Sequence, residues 1–149
     1  MASDAEQLET NDGGDESELN AAIAAVAAAK AKQPPTRCQG EEFDVGIVTA
    51  QEGEEVNLRL VLCKTSFRIR IFLDSKLVFD KDGVKDQLDH SLGPLSRGFH
   101  SLTWSYLPNN DPWGTRSEVQ VEGHARFALN KSDKSNFPSN NLAVMVRVV

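Results

Sequence analysis

Asp89, His90 and Ser91 stand side by side in the chain, and nucleophilic catalysis uses these three residue types converging on one point. Neighbours in sequence do not converge, because consecutive side chains of a strand leave on opposite faces. There is no GxSxG elbow, no GxxxxGK[ST] phosphate loop and no GxGxxG turn; Gly83, Gly93, Gly98 and Gly114 stand in turn-like settings. His90, His100 and His124 show neither HxxxH nor HxH spacing, and two cysteines cannot build a Cys-rich site. Asn109, Asn110 and Asp111 cluster several oxygens without the patterned run of a calcium loop. The sequence therefore predicts a non-enzyme with no metal and no cofactor, with the reservation that the paired carboxylates of a glycosidase leave no spacing signature.

Two groups of residues suggest binding instead. The stretch from Pro108 to Thr115 is too rich in Pro, Asn and Gly to be a strand, and it carries Trp113. An exposed ring stacked on a sugar face, with Asn109, Asn110 and Asp111 supplying hydrogen bonds, would make a lectin-like site. The structural alternative is that Trp113 folds back and plugs an open end of the fold. The second group is an outward strand face. If Leu58, Leu60, Leu62, Phe67, Ile69 and Ile71 point inward, then Arg59, Val61 and Cys63, followed by Arg68, Arg70 and Phe72, point outward. Arg59, Arg68, Arg70 and Phe72 are of the types enriched at protein interfaces, and a solvated face covered by arginine stems is the alternative.

The elements that must position these residues show a period of two from Glu42 onward. Alternation runs through Phe43–Ile47, Val56–Leu62 and Phe67–Leu73. Further strands are expected at Lys76–Asp80, Gly98–Leu107, Glu118–Leu129 and Leu142–Val149, with turns at 81–83, 108–112 and 130–136. Short strands with no helical period between them predict an all-β domain, an antiparallel β-sandwich of immunoglobulin-like or jelly-roll type. Leu102, Trp104 and Tyr106 share one face of their strand, and Trp104 is expected to fill the core. The last strand is apolar on both faces, which predicts a place inside a sheet or a pairing with another chain.

Upstream of Gly40 the composition differs. Residues 1–18 carry seven of the 22 acidic residues and no Lys or Arg, so residues 1–14 are expected to be disordered. Glu16 to Lys32 is Ala-rich, is preceded by Asp15 with Glu18 three residues on, and ends before Pro34 and Pro35; it predicts a helix that serves as spacer or docking segment. The expected division is thus 1–40 for acidic tail, helix and linker, dispensable for folding, and 41–149 for the sandwich. At 149 residues and a net charge of -6, the chain has room for one such domain and lacks the basic face that nucleic acid or an anionic membrane would need. With no leader or spanning stretch in the sequence, a cytoplasmic address and reduced thiols are the default, although a Cys38–Cys63 bond would staple the tail to the sandwich. The function expected is an interaction module that binds protein or its own copies through a sheet face or edge strand; a carbohydrate-binding module using the 108–115 loop is the alternative.

Overall fold

The computed structural model describes residues 37–133 and 141–149. The expected acidic tail and Ala-rich helix lie outside these residues, as does half of the expected linker. The described chain is all-β: β1 (Ile47–Ala50), β2 (Glu55–Leu73), β3 (Lys76–Pro94), β4 (Gly98–Pro108), β5 (Gly114–Val121), β6 (His124–Ser132) and β7 (Asn141–Val148). They form one hydrogen-bonded path, β1-β7-β4-β2-β5-β6, with β3 on the other edge of β2. Only the β1–β7 pair is parallel.

Two expected strands, 56–62 and 67–73, are the two halves of β2. Its first half pairs with β5 from Val56 to Cys63, and its second half pairs with β4 from Phe67 to Leu73. Between them the partner on β3 moves only from Asp86 to Val84 while β2 advances from Leu62 to Phe67. Lys64 at φ 77° turns the chain within this bulge, and the inward set changes from even to odd positions: Val56, Leu58, Leu60 and Leu62, then Phe67, Ile69 and Ile71, all buried. One bent strand thereby serves two groups of neighbours.

Three other boundaries differ from expectation. The expected strand Phe43–Ile47 is reduced to a bridge at Phe43, with β1 beginning only at Ile47, and its apolar set Phe43, Val45 and Ile47 is exposed instead of half-buried. The Lys81-Asp82-Gly83 stretch, expected as a turn, lies within β3, where Gly83 at φ 74° makes an irregularity in the strand. The expected strand Glu118–Leu129 is a hairpin, divided by a two-residue turn at Glu122 (φ 51°) and Gly123 (φ 78°). Positive φ at both central residues matches the twist of the flanking strands.

Among the described residues the main core lies inside the path, and a smaller cluster of Cys38, Val61 and Cys63 lies apart from it. Trp104 of β4 donates from Nε1 to Oγ of Ser117 on β5 at 3.0 Å, and its ring meets Phe127 of β6 edge to face at 5.8 Å. Phe67 and Tyr106 meet edge to face at 5.9 Å. The sheet is nearly closed, because the segment before β1 bridges its ends. The Phe43 amide donates to the Ala128 carbonyl on β6 at 2.9 Å and the Ala128 amide returns a bond at 3.2 Å, while Gly46 accepts from Met145 of β7 at 3.0 Å.

The fold reaches back beyond the expected boundary at residue 41. Cys38 is bonded to Cys63, with Cα atoms 6.4 Å apart, so the thiols are not free as the default address suggested. Cys38 covers the outer side of β2, and Val61 and Cys63, expected on an open face, are buried with it. Downstream of it Asn130 donates from Nδ2 to the Gly40 carbonyl at 2.9 Å, and Nη2 of Arg116 reaches the Glu41 carbonyl at 2.9 Å. Residues 38–43 are thus part of the fold, and a chain starting at residue 41 loses its staple. The bond spans a sequence separation of 25 residues, for which loop-closure entropy gives roughly 3 to 4 kcal/mol. Replacing both cysteines by serine should lower the urea midpoint accordingly; an unchanged midpoint would mean that the strap is held by its hydrogen bonds alone.

Candidate functional site

Strand alternation sends one face of β4, β7 and β1 into the core and the other outward. Outward on β4 are Phe99, Ser101, Thr103 and Ser105; on β7, Ala143, Met145 and Arg147; on β1, Ile47 and Thr49. Cross-strand register places these in rows. Leu77, Phe72, Thr103 and Ala143 form one row, and Ser101, Met145 and Ile47 form the next. Phe99 stands opposite Arg147, whose guanidinium carbon lies 6.0 Å from the ring centre. Phe99 is 63% exposed, Ile47 54% and Met145 37%. Between Phe72, Thr103, Ser105, Asn141 and Ala143 the surface dips into a depression of about 320 Å³. It forms where small side chains on β4 and β7 leave the Phe72 ring standing above the sheet.

The four residues expected at a protein interface do point outward, but the three arginines have carboxylate partners in the same sheet. Nε of Arg59 donates to Asp89 at 2.7 Å. Arg68 holds Asp80 with Nε and Nη2, each at 3.1 Å, and Arg70 approaches the same carboxylate at 3.5 Å. The hydrogen bond from Arg68 holds Asp80 below the usual carboxylate range. The charge of all three arginines is therefore met locally by carboxylates of β3. Phe72 remains as the apolar member, half-buried at the rim of the depression.

In the 108–115 loop the expected ligand residues separate. Asn109, though exposed, is engaged by the bend of β2: its amide donates to the Ser66 carbonyl at 2.9 Å, and Nδ2 donates to Ser66 Oγ at 2.8 Å. It ties the loop to the bend of β2. Trp113 is half-buried and meets Tyr106 at 5.6 Å between ring centres, packed on the core at the Pro108 end of β4. Asn110 and Asp111 are exposed at the tip, before the cis Asp111–Pro112 bond. Burial beneath this ring pushes the Tyr106 phenol up to about 12.

Asp89, His90 and Ser91 are parted as alternation requires. Asp89 faces Arg59, His90 packs edge to face on Phe79 at 5.6 Å, and Ser91 hydrogen-bonds Glu55. Among the described residues no three His, Cys, Asp or Glu gather as metal ligands, and no helix is long and apolar enough to cross a membrane.

Alternation along the strand places Phe99 on the face opposite Trp104, so one residue of the exposed face is readable from the sequence. Ile47 and Met145 were missed because their adjacency depends on a parallel β1–β7 pairing that alternation does not reveal. No family model, curated protein or solved structure matches the chain.

Proposed function

We propose that this chain is a non-catalytic interaction module, and that it docks protein, its own copies included, on the outer face of β4, β7 and β1. The observation that carries this is the contiguous set Ile47, Met145 and Phe99, three large apolar side chains held at the surface by register. Isolated apolar residues on a surface need no explanation, but neighbouring ones beside an Arg and a Phe have the composition of an interface core. In this reading the two strand groups carried by the halves of β2 act as the facing layers of a sandwich, which presents the docking face as a flat platform.

Edge pairing is the less favoured route. β3, an edge strand among the described residues, carries Lys76, Asp80, Lys81, Asp82, Lys85, Asp86 and Asp89, and its left-handed positions at Gly83, Asp86 and Gly93 interrupt a regular edge. Charges and irregularities of this kind discourage strand addition. A glycan in the 108–115 loop is also weaker, because the ring needed for stacking packs on Tyr106 and the first amide is engaged with Ser66.

The test is sedimentation equilibrium over a wide concentration range, with the full chain and with Phe99→Ser. The full chain should show a concentration-dependent mass that the variant loses. The melting transition should barely move, because an exposed site contributes about 0.5 kcal/mol or less to stability. A full chain that is monomeric throughout, with a photocrosslinker at position 99 capturing no second copy, would remove self-docking.

A further inference from the structure

His100 lies on the core side of β4, in line with Leu102, Trp104 and Tyr106, and opposite Val146 of β7. Its side chain is only 12% exposed. Nδ1 stands 2.7 Å from Oδ2 of Asp74, and Nε2 stands 2.7 Å from the carbonyl oxygen of Ser96. A carboxylate and a carbonyl both accept and neither donates. A neutral imidazole has one N–H and one bare lone pair, so one of these contacts would set lone pair against lone pair at hydrogen-bond distance. The Ser96 hydroxyl also stands 3.4 Å from Nε2 and could donate to a lone pair there, but the carbonyl is the nearer partner, and only the imidazolium, a donor at both nitrogens, satisfies both 2.7 Å contacts together.

The two partners belong to different connections. Asp74 is the first residue of the β2–β3 turn, at φ 52° with Ser75 at 68°. Its Oδ1 accepts from the Ser101 amide at 3.0 Å, and its own amide donates to the Ser101 carbonyl at 2.8 Å. Ser96 belongs to the connection between β3 and β4. One ring thus joins the hairpin turn, that connection and the start of β4.

We infer that His100 is a proton-operated latch, closed as the imidazolium between Asp74 and Ser96, and that loss of its proton releases either the 74–75 turn or the 94–98 connection. Released segments at this end flank Phe99, so the latch sits beside the exposed face without depending on what that face binds. The other charges near it have their own settings. Lys76, just past the turn, acts on Asp74 and favours its ionised form. Arg97 of the connection reaches Glu52 at 3.1 Å, and Arg147 of β7 lies over Phe99 on the opposite side of the sheet.

The electrostatics have the sign the geometry demands. The hydrogen bond to Asp74, then that to Ser96, raise His100 above its ordinary value against the opposing effect of burial. The same bond lowers Asp74. A histidine raised in the folded state contributes stability that is complete below its unfolded value of about 6.5 and is lost as pH rises through the folded one. A lowered aspartate contributes above its unfolded value of about 3.9 and loses that contribution as pH falls. The latch is therefore closed in mildly acidic solution and opens on the alkaline side.

The test is an NMR titration of the histidine rings in the full chain, with His100 assigned by its absence in His100→Gln, followed by hydrogen exchange at the Asp74 and Ser101 amides. The expected result is a His100 midpoint above the ordinary histidine value, and protection at both amides that falls at least about threefold once His100 is deprotonated, after correction for intrinsic exchange. In Asp74→Asn, where asparagine tolerates the left-handed turn position, the His100 midpoint should drop and the loss of protection with pH should disappear. A midpoint at or below the ordinary value in the native chain, or protection that stays constant through the His100 titration, would overturn the latch.

Discussion

A chain that stops at Asn141 is expected to show no cooperative unfolding transition at all. β7 is not a terminal appendage but an inner strand, paired in parallel with β1 through Ile47–Ala50 and antiparallel with β4 from Gly98 to Ser105. Its alternate residues Leu142, Val144, Val146 and Val148 are buried and belong to the main core. Full burial of such side chains contributes roughly 1.5 to 3 kcal/mol each, so their joint loss is comparable with the roughly 5 to 15 kcal/mol that holds a whole domain together. Deletion would also strip hydrogen bonds from β4 and remove the strand that pairs with β1. Circular dichroism through a urea series, with size-exclusion chromatography to detect aggregation, would decide it. A folded, strictly monomeric truncated chain would instead make β7 an assembly strand, and the docking surface would have to be redrawn around it.

The alternation Leu142, Val144, Val146, Val148 was enough to foresee an inner strand, because a half-buried strand writes its two faces into the sequence. The same holds for Leu102, Trp104 and Tyr106 and for both halves of β2. What alternation does not contain is register. Asp80 and Asp89 look like solvated charges until β3 is laid beside β2, when they meet Arg68 and Arg59. β3 itself was legible only at its start. An edge strand has fewer side chains to bury, so Lys81 to Asp89 carry the polarity of a loop and Gly83 reads as a turn. The β5–β6 turn was missed for a related reason, since Glu122-Gly123 lacks the Asn or Asp that usually marks a left-handed first position. Cys38 and Cys63 could be named as partners, but their pairing depends on the strap crossing the outer side of β2, which no local pattern records. Of the candidate site, Phe72 and the outward direction of Phe99 were readable; the neighbourhood of Phe99, Met145 and Ile47 was not, because it arises from two ladders joined at β7.

The two tryptophans should part company on truncation. Trp104 is 1% exposed, and it links three strands by its position on β4, its bond to Ser117 and its edge-to-face contact with Phe127. Trp104→Ala should cost about 3 to 5 kcal/mol, the usual result of removing a large aromatic from a core, and it also leaves the Ser117 hydroxyl buried without its donor. Trp113 is only half-buried, packed against the margin of the core where it meets Tyr106 edge to face. Trp113→Ala should therefore cost clearly less, on the order of 1 to 2 kcal/mol, since less area returns to water. Urea unfolding of both variants, followed by far-ultraviolet circular dichroism so that the loss of a fluorophore does not bias the comparison, gives the two differences directly. If the costs are equal, Trp113 is a core residue that closes the Pro108 end of the fold, and its loop has no ring to offer a sugar.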